Sequence, residues 1–331
     1  MKLSRKEMAE LLKGIDGKIL ITTHKNPDGD AIGSSLGWFS FLKSLGKDVR
    51  VVYRDRIPYF FDFLPGINKV EVKEKLDEQY DWVIITDVSE PKRTGFESIP
   101  AEKSIVIDHH ITAEPFTNFA IVEPNISSTC ELSYELMVLI DPEKITYEVA
   151  LPIYTGIFTD TGGFSYNNTS PRTHEVAAEL LKKGVDPYVV RFNLFERNRI
   201  NRFKLLELVL KTLEFALDGK VAHITVYRKF LEETEAFLEE TEGFINYPRS
   251  IAGVEVAIFF KEIEKESWKV SLRSKGKINV AEIAKKLGGG GHKMAAGYET
   301  KGSLEEVKKN LFKELELAFE SLDFEELEML S

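Results

Sequence analysis

The sequence predicts an α/β protein in two lobes: a doubly wound, mostly parallel sheet, then a helical linker, then a second, smaller α/β lobe. Three observations predict it. Short, continuous apolar runs alternate with segments of helical periodicity through the first half of the chain, the pattern of parallel strands covered on both faces. These runs stop abruptly on acidic or histidine residues, at the carboxyl ends where open α/β sheets collect their ligands. The length, 331 residues, exceeds one typical core and fits two. The expected division is 1–186 for the first lobe, 187–215 for the linker helices and 216–331 for the second lobe.

The chain opens with Ser4 and Glu7 spaced as a capping box ahead of Met8, Leu11 and Leu12, an amphipathic helix rather than a signal peptide. Ile19, Leu20 and Ile21 form the first buried strand, which Pro27 and Gly29 terminate after His24. Helical spacing resumes over 30–45, with Gly46 as its C-cap. Strands follow at 49–53, at 82–86 ending on Asp87, and at 105–107 ending on Asp108, His109 and His110. Helices are expected over 128–140 and 146–158, the latter delivering Asp160 into a glycine-rich turn. A further helix runs from Ser170-Pro171 to Gly184, with Pro at its start and Gly at its end. Periodic apolar residues between 186 and 217 read as a linker helix or helix pair. The second lobe offers strands near 221–226, 253–260 and 268–272, then short helices and a last helix opened by the Ser303–Glu306 capping box. An acidic, frayed tail is expected over 323–331.

Composition narrows the function. At 43% hydrophobic and 30% charged, with no long uncharged apolar run, the chain reads as a soluble protein with no membrane segment, and a cytoplasmic location is inferred. Its net charge of -10 argues against coating long nucleic acid, which relies on a broad positive surface. Small anionic substrates remain open, because cations in an acidic pocket reverse the local sign. Cys130 is the single cysteine and sits in an apolar helical pattern, so it is expected as a buried core residue rather than a nucleophile.

His24, Asp28, Asp30, Asp87, His109 and Asp160 offer imidazole nitrogens and hard oxygens. That donor set suits manganese, magnesium, cobalt or zinc. Taken alone, Asp28-Gly-Asp30 is a polar turn, but four separated clusters at strand or helix exits make a site. Six such ligands exceed the need of one ion and suit two ions about 3.5 to 4 Å apart. Asp87, alone on the central strand, is the expected bridge.

His24-Lys-Asn-Pro-Asp28-Gly-Asp30-Ala31, Asp87, Asp108-His109-His110 and Asp160-Thr161-Gly162 resemble, in order and spacing, the four motifs of the DHH phosphoesterase family, with no departure at the metal positions. Arg273 within Ser271-Leu-Arg-Ser274, and the run Gly288-Gly289-Gly290-Gly291-His292, resemble the associated DHHA1 domain. The likeness covers nearly the whole chain and is greatest to the stand-alone nanoRNase members, which degrade very short RNA and dephosphorylate 3'-phosphoadenosine 5'-phosphate. The resemblance implies His24, Asp28 and Asp87 on one Mn²⁺ and Asp30, Asp87, His109 and Asp160 on the other. It makes Asp108 a residue that orients a ligand imidazole, and His110 a phosphate contact or proton donor. It gives substrate contacts to Arg273, Gly289, Gly290, Gly291 and His292, within a stretch whose positive residues face the single carboxylate Glu282. The implied reaction is metal-dependent hydrolysis of nanoRNA or pApA to mononucleoside 5'-phosphates, with cyclic di-AMP as the alternative substrate. An inorganic pyrophosphatase of the same family, or an inactive nucleotide sensor, is disfavoured by the second-lobe motif and the complete ligand set. A homodimer is suggested by the resemblance and by the apolar residues of the linker.

Overall fold

The computed structural model describes residues 1–110 and 116–328, with 323–328 described through their backbone alone. The chain forms two compact units, Met1–Arg197 and Asn198–Ser331. The expected α/β architecture is present in both.

The first unit is built on six parallel strands, β1 (Lys18–Thr22), β2 (Asp48–Tyr53), β3 (Val70–Val72), β4 (Tyr80–Thr86), β5 (Ala101–Asp108) and β6 (Phe119–Val122), in the order β3-β2-β1-β4-β5-β6. Neighbouring strands are parallel throughout. The order reverses between β1 and β4, so the crevice outside their carboxyl ends is the topological switch point. Ile19 and Ile21 bury on one face of the sheet, with the helices α1 (Arg5–Gly14), α2 (Gly29–Ser44), α3 (Thr129–Ile140), α4 (Tyr147–Asp160) and α5 (Pro171–Lys182). Leu20, Val52, Val83, Ile85 and Val106 bury on the other face, under Val88 and Phe96 from the segment after β4. That division follows from the two-residue period of a strand. The Ser4–Glu7 capping box forms, and Gly46 takes a left-handed φ of +77°. Strands β3 and β6 were not expected from the sequence, each being only a few residues long.

Small residues fix how closely α2 and α4 approach. A Cβ added at Gly33 would meet the Pro152 carbonyl at 2.4 Å, one at Gly37 would meet Ile153 at 2.6 Å, and one at Gly29 would meet Thr159 at 2.2 Å. Gly156 answers from α4, where a Cβ would meet Cys130 Sγ at 2.2 Å and the Asp30 Cα at 3.1 Å. The ends of the two helices that carry Asp30 and Asp160 are thereby brought side by side.

The segment expected to link the lobes contributes α6 (Pro187–Arg191) and a π-helical turn (Phe192–Glu196) to the first unit, and α7 (Ile200–Leu210) to the second. The second unit holds a mixed six-stranded sheet of β7 (Glu214–Ala216), β8 (Val221–Val226), β9 (Val256–Glu264), β10 (Ser267–Ser274), β11 (Gly290–His292) and β12 (Ala295–Lys301), ordered β11-β12-β10-β9-β8-β7. Only β8 and β9 pair in parallel. Between these strands lie the short helices α8 (Arg228–Thr234), α9 (Asn246–Ser250) and α10 (Val280–Lys286), and α11 (Leu304–Glu328) follows the sheet. The α11 backbone runs to Glu328, across the first part of the tail expected to fray, while 329–331 lie outside the described residues. No helix among the described residues is long and apolar enough to cross a membrane.

His223 on β8 is buried between the rings of Phe260 and Phe312. Burial, reinforced by the Lys308 ammonium, pushes its imidazole down to about 4. The fold therefore favours the neutral ring. Above about pH 6.5 neither state is protonated and the contribution is complete; between that pH and 4 the unfolded chain binds the proton first and stability is lost. The urea midpoint of the wild type should fall more steeply from pH 7 to pH 4.5 than that of His223→Leu, and equal slopes would contradict this assignment.

Candidate metal centre

Each expected ligand of the first unit lies at the carboxyl edge of its sheet. His24 follows β1 and donates from Nδ1 to the Lys25 carbonyl at 2.9 Å, which leaves Nε2 as the lone-pair atom. Nε2 is buried and has no hydrogen-bond partner. Asp28 is the N-cap of α2, its Oδ1 accepting the N–H groups of Asp30 and Ala31 at 3.1 Å each. Asp30 sits buried in the first turn, and Asp160 closes α4. Asp87 leaves β4 with a φ of +60°, a left-handed conformation that Asp tolerates better than most residues. Its N–H still donates to the Ile107 carbonyl at 2.9 Å, so the reversal is anchored to β5.

Asp87 divides the cluster. Its Oδ2 lies 3.4 Å from His24 Nε2, which is 3.8 Å from Asp28 Oδ1. Its Oδ1 lies 3.8 Å from His109 Nε2. That nitrogen is also 3.8 Å from Asp30 Oδ2 and 3.7 Å from Asp160 Oδ2. Three carboxylates around one imidazole, at separations too long for ordinary hydrogen bonds, leave room for a cation among them. His24, Asp28 and Asp87 could hold one metal ion, and Asp30, Asp87 and His109 another.

Charge explains why such a cluster calls for cations. Burial and the neighbouring Asp87 and Asp160 carboxylates push the Asp30 carboxyl well above its usual range. Burial acts on Asp87 in the same sense, but the imidazoles of His110, His24 and His109 override it and hold this carboxyl well below that range. Although burial opposes charging of His24, Asp28 and Asp87 push its imidazole up to about 10, a local demand for positive charge that a bound cation would meet. The donor set of imidazole and hard oxygen, together with the unbonded His24 Nε2, fits a divalent ion.

Asp108 is fully buried, and its Oδ1 accepts the His109 N–H at 2.8 Å and lies 2.7 Å from His110 Nδ1. The imidazole that it orients is therefore that of His110. Cys130 is buried as expected, and burial pushes its thiol well up, which keeps it protonated.

In the second unit Arg273 lies on β10, with Nη1 donating to the Leu272 carbonyl at 3.0 Å. The glycine run is not an open loop: Gly290, Gly291 and His292 form β11 against β12. A Cβ at Gly289 would meet the Gly297 carbonyl at 2.1 Å, and one at Gly291 would meet the Ala295 carbonyl at 2.5 Å, so strand packing demands both glycines. Gly290 has nothing within 4 Å of its added Cβ. It alone of the three leaves space for a ligand against the backbone.

Sequence reasoning missed the segment that holds the second ligand group together. The Ile126 carbonyl accepts a hydrogen bond from His109. At the start of α3, the Thr129 and Cys130 N–H groups donate to Asp30 Oδ2 and Oδ1 at 2.7 and 2.8 Å, and the Thr129 hydroxyl donates to Asp87 Oδ1 at 3.1 Å. Asn168 ties the Ser127 carbonyl at 2.9 Å to the Asp160 carbonyl at 3.1 Å. Residues 126–130 thus touch or brace Asp30, Asp87, His109 and Asp160. The only sequence signal was Ser128 as a helix cap. Thr129→Val keeps the shape of the side chain and removes the hydroxyl; it should weaken Mn²⁺ binding roughly tenfold or more by calorimetric titration, with Thr129→Ser restoring it. Unchanged affinity would show that the hydroxyl does not position Asp87.

Comparison with known proteins agrees with this geometry. Residues 18–157 match the DHH family N-terminal domain, and residues 218–321 match the DHHA1 domain. The chain is 39% identical over 297 residues to the bifunctional oligoribonuclease and PAP phosphatase NrnA of Thermus thermophilus, covering 89% of this chain and 88% of that protein. It is 30% identical to the protein of the same name from Mycoplasma genitalium, covering 88% of this chain and 91% of that one. A crystal structure of an exopolyphosphatase-related protein from Bacteroides fragilis matches with a TM-score of 0.85 at 32% identity, covering 96% of this chain and 97% of the other. Three strand-end motifs and one at a helix end, a cluster suited to metal and the two matched domains lead to one conclusion: this chain belongs to the DHH/DHHA1 family of metal-dependent phosphoesterases.

Proposed function

We propose that the chain is a phosphodiesterase that uses two divalent ions, Mn²⁺ foremost, to hydrolyse very short oligoribonucleotides and linear dinucleotides such as pApA to mononucleoside 5'-phosphates. The names of the two similar NrnA proteins support short RNA and 3'-phosphoadenosine 5'-phosphate as substrates. The observation that carries the two-ion reading is the division of Asp87, one oxygen toward His24 and Asp28 and the other toward His109, Asp30 and Asp160.

When bound, the ions supply Lewis acidity toward the phosphoryl oxygens and an attacking water activated near neutral pH. His24, Asp28 and Asp87 hold one ion, and Asp30, Asp87, His109 and Asp160 the other. The chain's other residues handle orientation and protons. Asp108 fixes His110 with its Nδ1 inward, leaving Nε2 to contact the phosphate or to carry a proton to the leaving oxygen. In the second unit Arg273, His292 and the Gly290 backbone are the proposed nucleotide contacts; Gly289 and Gly291 keep that strand in place. A guanidinium suits this task because it meets phosphate with paired, charge-assisted hydrogen bonds.

The Mn²⁺-loaded protein should convert pApA to AMP, and inactivity with verified metal content would remove the proposal. Asp87→Ala should lose both ions by elemental analysis, with activity falling further than in Asp28→Ala; two retained ions and near-normal turnover would overturn the bridge. Arg273→Ala should lower kcat/KM on pApA by roughly ten- to a hundredfold while metal content stays constant, the equivalent of about 1.5 to 3 kcal/mol for one charge-assisted contact. A loss of metal in that variant would contradict the division of labour.

A further inference from the structure

Arg93 lies just past β4, in a 3₁₀ turn (Pro91–Thr94), and sequence reasoning passed over it. Its backbone is held firmly. The Arg93 carbonyl accepts the Lys25 N–H at 2.7 Å, which ties the turn to the loop that carries His24. The buried Thr94 hydroxyl donates to the Pro91 carbonyl at 2.8 Å, and Gly95 ends the turn with a φ of +76°. The guanidinium is half-buried, with Nη1 3.3 Å from the Ser89 hydroxyl and 3.4 Å from His110 Nε2.

Its company sets it apart. In the first unit Arg5, Arg50, Arg54, Arg172, Arg191 and Arg197 each have a carboxylate within 4 Å. Among the described residues Arg93 has none at that distance, and neither has Arg56, which is exposed to solvent. A partly buried guanidinium with no counter-charge gives up hydration without recovering it in an ion pair, unless an anionic ligand completes the site. His110 supplies the direction. With Nδ1 held by Asp108, its Nε2 points to the Arg93 guanidinium, and the same ring lies 3.5 Å from Asp87 Oδ1.

We propose that Arg93 is a further catalytic residue, which with His110 forms a clamp for the non-bridging oxygens of the phosphate under attack. The proposal rests on the phosphodiesterase reading and extends it. Charge counting gives the reason. Four carboxylates balance two divalent ions, so the centre has no surplus positive charge for a phosphodiester and the negative charge of its attacking water. One guanidinium offsets part of that excess where it develops. It has five N–H donors, and among the described residues only Nη1 is engaged, which leaves Nε and Nη2 for a phosphoryl oxygen. The clamp acts on the reacting phosphate itself, and so it should serve any diester, however small its remaining groups.

The test compares Arg93→Gln with Arg273→Ala in the full-length, Mn²⁺-loaded protein. Arg93→Gln should lower kcat/KM by roughly ten- to a hundredfold on both pApA and bis-p-nitrophenyl phosphate, whereas Arg273→Ala should affect pApA far more than the activated ester. Metal content should equal that of the wild type. Calorimetric titration with inorganic phosphate should show affinity reduced about tenfold or more in Arg93→Gln, with Arg93→Lys partly restoring it. Wild-type phosphate affinity, or a kinetic loss that excess Mn²⁺ fully repairs, would overturn the proposal, the latter by making Arg93 a support of the metal cage. If the wild type cleaved neither ester, the nucleotide reading would fail, while the phosphate titration would still decide for or against the clamp.

Discussion

Four carboxylates, with Asp30 and Asp87 buried, Asp160 half-buried and Asp28 at the solvent edge, cannot crowd one crevice unless positive charge balances them, and the organisation of the first unit follows from that constraint. Asp30 shows the repulsion most directly, its carboxyl pushed well up by burial and by Asp87 and Asp160. His24, His109 and His110 relieve it in part. The N-terminal N–H groups of α3 relieve it further, donating to both oxygens of Asp30 at the positive end of the helix dipole. The residual demand for charge is what suits the cluster to divalent cations.

Holding such a cluster together takes rigid, close packing, and the fold supplies it in two ways. The order of the parallel sheet reverses between β1 and β4, which places the His24 loop and Asp87 on either side of one crevice. The glycines of α2 and α4 then let two helices approach until Asp30 and Asp160 share an imidazole with Asp87. Gly156 packs against both the Cys130 side chain and the Asp30 backbone. A side chain there would push apart the ligands rather than merely disturb a core.

The sequence made most of this site legible because its histidines and carboxylates follow apolar runs, a local pattern that places His24, Asp87 and Asp108 through His110 at strand ends without any knowledge of tertiary contacts. Asp160 could be read from the helix that ends on it. Legibility failed where meaning is carried by distant partners. Thr129, Asn168 and Arg93 are ordinary loop and cap residues until their neighbours across the sheet edge are known. Asp108 was expected to orient a ligand imidazole, but its 2.7 Å contact is with His110 rather than with the expected ligand His109, a distinction that two adjacent histidines do not show in sequence. Among the elements, β3 and β6 are too short to show a period, and β11 and β12 are rich in Gly and Ala, which have little strand propensity of their own and are there because neighbouring backbones approach closely.

The central claim is that one carboxylate, Asp87, is shared by two ions, each with its own imidazole. Anomalous scattering from crystals equilibrated with Mn²⁺ tests it most directly. Two peaks about 3.5 to 4 Å apart are predicted, one beside His24 and Asp28 and the other among Asp30, His109 and Asp160, with Asp87 between them. A single peak, or two peaks that do not share Asp87, would contradict the account.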